Sequence, residues 1–149
     1  MLKRKVSEEE KVGKKVIIAL MLDEMGISKN IQYLRDGKLR GYVDIGSGIE
    51  TCDNIPLAKD ALVFMAVALD DRWKIPLGYF LVNGVDASTN AGLIRDCLQR
   101  LDEINVEVAS LTLDGLSQHF ATVRELGATF DIIDPKPYFL HPSNKKKCM

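Results

Sequence analysis

The sequence predicts an α/β domain on a mixed sheet, with antiparallel first three strands followed by helix crossovers to parallel strands. Val16–Leu22 and Ala61–Leu69 are unbroken apolar runs rich in Val, Ile and Leu, the pattern of strands buried on both faces in the middle of a sheet. Downstream, a segment of helical period lies between two strand-like segments, an order that returns the chain parallel to where it began.

Each element follows from its local pattern. Residues 1–15 read as a polar lead-in, at most the frayed end of a helix. Val16–Met25 is the first strand; the alternative, a helix, is cut short by Gly26. Within Ile31–Gly46, Asp36-Gly37 separates two short β-prone segments, a hairpin signal. Gly46, Gly48, Asp53 and Pro56 then make a loop. The turn Asp70–Arg72 joins Ala61–Leu69 to Lys74–Val82, and so short a link makes the two strands antiparallel neighbours. Pro76 has no N–H for a ladder, which puts its strand at an edge or a bulge.

Asn83–Asn90 is turn chemistry leading into a helix that Ser88 or Thr89 can cap. Ile94, Cys97, Leu98, Leu101 and Ile104 recur on its buried face, with Arg95, Asp96, Arg100, Asp102 and Glu103 in water. Cys97 is there as a small core side chain. Val106–Leu113 forms the next strand and ends at Asp114-Gly115. The helix after it carries Leu116, Phe120, Val123 and Leu126 on one face and stops at Gly127. Ala128–Ile133 is a last short strand closed by Asp134-Pro135, and residues 143–149 are a basic tail with no further element.

Composition narrows the function classes. The 149 residues, 46% hydrophobic and 28% charged, suit one domain with a sizeable core. No apolar run approaches the ~18 residues of a membrane span, and the charged N-terminus lacks a signal peptide's apolar segment. Cys52, Cys97 and Cys148 are scattered, with no CxxC pair; a reducing compartment fits, and a disulfide framework or zinc knuckle does not. A formal net charge of −1 argues against a domain that grips DNA by bulk electrostatics. The lysines at Lys3–Lys5, Lys14–Lys15 and Lys145–Lys147 read as solvated ends.

The chemistry gathers at Asp23 and Asp114, which both leave the ends of buried strands. Ligand and catalytic groups of α/β folds sit beyond such strand ends. If the two strands are neighbours, ~4.8 Å apart, the carboxylates meet at one end of the sheet. So close a pair repels unless a cation lies between. Mg²⁺, or Mn²⁺ in its place, suits such oxygen ligands, and paired metals of this kind serve phosphodiester cleavage and transfer. Each acid also has a plain structural reading: Asp23 as a strand cap in water, Asp114-Gly115 as a capped strand-to-helix turn. Glu24 follows Asp23 directly and points to the opposite face of the strand. No GxxxxGK[ST], GxGxxG, DxD or GxSxG motif is present. His119 and His141 are isolated, and His119 reads as a partly exposed surface residue.

LMLDEMGISKNIQY, GYVDIG, LAKDALVFMAVALDDRWKIPLGYFLVNG, SLTLDGLSQHF and ELGATFDIIDPKPYFLHP, from about Val16 to Pro142, resemble the RNase H-like domain of P element-type transposases, which include the THAP domain-containing transposases. The resemblance implies an RNase H-like fold and cut-and-paste DNA transposition by two-metal phosphoryl transfer, in the nucleus and on transposon-end DNA. Asp23 matches the family's first catalytic acid and Asp114 its second. The family's third acid, its GTP-binding insertion, its zinc-coordinating DNA-recognition domain and its oligomerising segment have no counterpart in these 149 residues. The expectation is therefore a partial catalytic core, inactive alone, with no membrane partner. The alternative is a decayed or domesticated remnant, cytoplasmic in that case, acting at most as a DNA- or protein-binding module.

Overall fold

Alternation decides how the central strand sits. In the computed structural model, which describes residues 1–33, 35, 39–46, 55–115 and 117–149, β1 (Val16–Gly26) buries Val16, Ile18, Leu20 and Leu22 on one face. On the other face Ile17 and Ala19 are half-buried and Met21 is exposed. β4 (Asp60–Ala68) alternates in the same way, with Leu62, Phe64, Ala66 and Ala68 inside. The apolar runs are thus strands as expected, but each is fully buried on one face only. The inner side chains join a core cluster with residues of the helices at Leu2–Glu10 and Ala87–Glu103.

The main sheet has the order β5-β4-β1-β6, with β5 at Lys74–Val82 and β6 at Val106–Thr112. β1 runs antiparallel to β4 and parallel to β6, and β4 runs antiparallel to β5. This is the expected mixed sheet, with β1 in the interior. Pro76 lies on the edge strand β5 at a register shift, where Phe64 pairs with Gly78 and Met65 with Pro76. A residue that cannot donate to the ladder is accommodated in this way.

Helix α2 (Ala87–Glu103) makes the crossover from β5 to β6 and buries Ala91, Leu93, Ile94, Leu98 and Leu101. Its N-cap is Asp86, two residues before Ser88 and three before Thr89; the Asp86 carboxylate accepts the Thr89 amide at 2.7 Å. That bond, with a second from the Thr89 hydroxyl, holds the Asp86 carboxyl below its usual range. α3 (Ser117–Leu126) follows β6 and ends, as expected, at Gly127, whose φ of 111° few other residues adopt.

The ends of the chain carry more structure than their composition suggests. Within the lead-in lies α1 (Leu2–Glu10), which buries Leu2 and Val6 at i and i+4 in the same core cluster. Ala128–Ile133 forms no strand; a single bridge joins Thr129 to Lys136, and Ile132 and Ile133 are 99% and 98% exposed. The basic tail is not featureless either. β7 (Phe139–Leu140) pairs with β8 (Lys147–Cys148), burying Phe139 and Cys148. Met149 then lies along β6, accepting from the Leu111 amide at 2.6 Å and donating to the Ala109 carbonyl at 3.1 Å.

Between β1 and β4, β2 (Gln32–Tyr33) pairs with β3 (Leu39–Arg40); the turn residues Asp36 and Gly37 lie outside the described residues, as do Gly48 and Asp53. Gly41 is required where it stands, since a Cβ there would lie 2.2 Å from the Asn30 carbonyl oxygen.

Burial pushes the Cys97 thiol up to about 12 and the Cys148 thiol to about 11. Only thiolates react quickly with alkylating agents. Iodoacetamide at about pH 8.5 should therefore spare both cysteines in the native protein and label both in urea. Neutral thiols are favoured by the fold, so this contribution is present below about 9 and is lost as pH rises through about 11 to 12. Mass spectrometry of native protein modified at Cys97 would contradict the assignment.

Candidate active site

A bulge sets the geometry of the site. Val16, Ile17 and Ile18 of β1 pair with Val106, Glu107 and Val108; then the register shifts, and Ala19, Leu20 and Met21 pair with Ser110, Leu111 and Thr112. β6 thus carries one extra residue, Ala109. The ladder ends at Met21 and Thr112; the same register continued for two more residues would turn Asp23 and Asp114 to one side of the sheet, since facing residues on parallel neighbours share a side. Without the extra residue Asp114 would stand opposite Glu24, on the other face. Both aspartates lie at the same end of the sheet, and both are exposed.

Three further groups gather there. Glu24 is half-buried on the face that carries Leu20 and Leu22. Its carboxyl is held above the usual range, first by burial and then by the charges of Asp60, Asp114 and Asp23, with His119 acting in the opposite sense. Asp60 opens β4 opposite Gly26, the last residue of β1. Sequence reasoning set Glu24 aside for pointing away from Asp23. The alternation holds, yet Glu24 still feels both aspartates.

His119 is the residue that sequence reasoning misplaced. It is 4% exposed, with Nδ1 2.9 Å from the Asp114 carbonyl oxygen and also in contact with Oδ1 of the Asp114 carboxylate. The inward side of α3 is His119 and Thr122, with Val123 and Leu126 half-buried, while Phe120 is 45% exposed and meets Phe130 edge-on. Leu116 lies outside the described residues. The signal was available in the sequence: positions 119, 122, 123 and 126 follow the i, i+3, i+4, i+7 spacing of a helix face.

Beside Asp114 lies a cleft of about 230 Å³ lined by Leu111, Leu113, Asp114, His119, Phe130 and Phe139, among others. Among the described residues, no group of three or more His, Cys, Asp or Glu side chains is placed to hold a metal ion. Asp131 and Asp134, in the exposed segment after α3, offer no third ligand; Asp134 pairs with Lys136 at 3.0 Å in solvent. What the site offers is a solvent-facing pair of carboxylates, the oxygen donors that a hard cation such as Mg²⁺ takes.

A family model described as "TNP-like, RNase H N-terminal domain" matches residues 1–127. The chain belongs to that family. The match begins at residue 1, so α1 lies within the matched region of this RNase H N-terminal domain. The chain is 31% identical over 130 residues to human DNA transposase THAP9, covering 87% of itself and 14% of that protein. The fold matches a chain of the Drosophila P element transposase strand transfer complex with a TM-score of 0.60 at 18% identity, over 89% of this chain and 25% of that one. These matches bear out the resemblance to P element-type transposases and the RNase H-like fold. The chain spans a small part of both relatives.

The raised carboxyl of Glu24 gives a test of the cluster. A folded-state value above the unfolded one means a contribution to stability that is present at low pH and lost as pH rises through the folded value. Glu24→Gln, which mimics the protonated form, should raise stability at about pH 7 and leave it nearly unchanged at about pH 4. Urea unfolding at the two pH values measures this. An equal effect at both would place Glu24 outside the charge cluster.

Proposed function

We propose that this RNase H N-terminal domain supplies the first two catalytic acids of a DNA transposase, with Asp23 and Asp114 holding a divalent cation against transposon-end DNA. The observation that supports this reading is the bulged parallel register, which, continued past Met21 and Thr112, would turn the two carboxylates to the same side of neighbouring strands. The positive end of the α3 dipole, just after Asp114, favours an anion such as a phosphodiester. When bound, Mg²⁺ or Mn²⁺ would help activate the attacking hydroxyl and neutralise charge on the leaving oxygen. The chain's own acids bind and orient; β1 and β6 fix their spacing, and the core beneath keeps those strands in place. A DNA substrate places the working protein in the nucleus.

Two carboxylates hold one ion and leave most of its coordination positions to water. A two-metal transfer needs a further carboxylate. The chain purified alone should accordingly bind Mn²⁺ weakly and neither cut nor join DNA. Titration calorimetry on the parent, Asp23→Asn and Asp114→Asn measures the first point. Heat lost in both variants supports the site, whereas equal heats in all three would leave a non-catalytic binding module as the better reading. A strand-transfer and nuclease assay with Mn²⁺ at low salt measures the second. Cleavage that Asp114→Asn abolishes would show that the described pair needs no third acid.

A further inference from the structure

His119 is buried and polar, and both contacts of its Nδ1 are to one residue. One is the Asp114 carbonyl oxygen at 2.9 Å; the other is the Asp114 carboxylate oxygen Oδ1. Two oxygen acceptors on the same ring nitrogen require that nitrogen to carry the hydrogen. The Nδ1–H donor therefore grips Asp114 at two points, one on the backbone where β6 ends and one on the side chain. The Asp114 side chain is 48% exposed, so a carboxylate that would otherwise turn freely in water has one oxygen tied to the interior. Thr122, one turn further on, is fully buried, and its hydroxyl donates to the Gln118 carbonyl at 3.1 Å. With Thr122 and the half-buried Val123 and Leu126 packed inward, α3 holds the imidazole in place.

We propose that His119 is a positioning residue for Asp114: its Nδ1–H holds Oδ1 and presents Oδ2 to a divalent cation. This rests on the reading of Asp23 and Asp114 as a metal-binding pair. Carboxylate ligands are commonly held by such outer hydrogen bonds, and losing one typically costs about 10- to 100-fold in metal affinity. The hydrogen bond acts here through orientation. An Asp114 free to rotate spends less time with an oxygen turned toward Asp23.

Two measurements on the full chain test the proposal. Nitrogen-15 NMR of the imidazoles, without metal, reads which ring nitrogen carries the hydrogen; the chain has two histidines, and the His119 signals are those lost in His119→Asn. Mn²⁺ titration calorimetry then compares the parent with His119→Leu and with His119→Asn, which keeps an N–H donor near the Nδ1 position. The expected results are hydrogen on Nδ1, affinity about 10- to 100-fold weaker in His119→Leu, and recovery of most of that loss in His119→Asn. Hydrogen on Nε2 alone, or parent affinity in a folded His119→Leu, overturns the proposal. If His119→Leu fails to fold, a folded His119→Asn as weak as Asp114→Asn overturns it equally. A parent that binds no Mn²⁺ overturns the metal-site reading itself, whereas binding through Asp23 and Asp114 that ignores His119 overturns only the positioning role.

Discussion

The parallel ladder between β1 and β6, with its single extra residue, is the constraint on which the rest of the molecule depends. Before the shift, Val16 and Ile18 lie opposite Val106 and Val108, all four in the core. After it, Leu20 lies opposite Leu111, so the core-facing positions of β6 change from even to odd numbers. Leu111 and Leu113 accordingly pack against the core, and Asp114 emerges on the same side as Asp23. One backbone irregularity thus keeps both halves of the strand pair packed on the core while shifting the parity of everything beyond it.

Stability and chemistry are kept apart along the same strands. Ile18, Leu20, Leu62, Phe64, Ile94 and Leu98 are among the most deeply buried side chains, and burying each contributes about 1.5–3 kcal/mol. The acids sit a few residues further on: Asp23 still pairs with Val63 in the β1–β4 ladder, and Asp114 follows the end of β6, both with exposed side chains. Glu24 lies on that boundary, half-buried with its carboxyl raised by its surroundings. His119 lies on the inner side of it, reaching from a packed helix to an exposed carboxylate.

Much of this was legible in the sequence because the signals were local. The apolar runs marked β1 and β4, Pro76 marked an edge with a bulge, and the 3.6-residue pattern marked α2. That the runs are fully buried on one face only was not legible, since half-buried outer positions such as Ile17, Ala19, Val63 and Val67 are as apolar as the inner ones. The bulge at Ala109 leaves no trace in composition. α1 and the tail were discounted for their lysines, yet Leu2, Val6, Phe139 and Cys148 were enough to anchor them. The face of α3 was misjudged by weighing the aromatic Phe120 above the spacing of His119 and Thr122. Asp86 was missed as a cap because Ser88 and Thr89 offered nearer candidates of the same chemistry.

Both margins of the main sheet are blunted. Beyond β5, Asp44 exchanges two backbone hydrogen bonds with Leu81, at 2.8 and 3.1 Å, and Pro76 has no amide to offer. Beyond β6, Met149 takes up the Leu111 amide and the Ala109 carbonyl. Unpaired strand margins are where chains recruit one another into fibres and swapped assemblies. With both margins partly taken up in this way, the exposed acids at one end of the sheet can stay open to solvent without the strands that carry them offering a long free edge as a template for polymerisation.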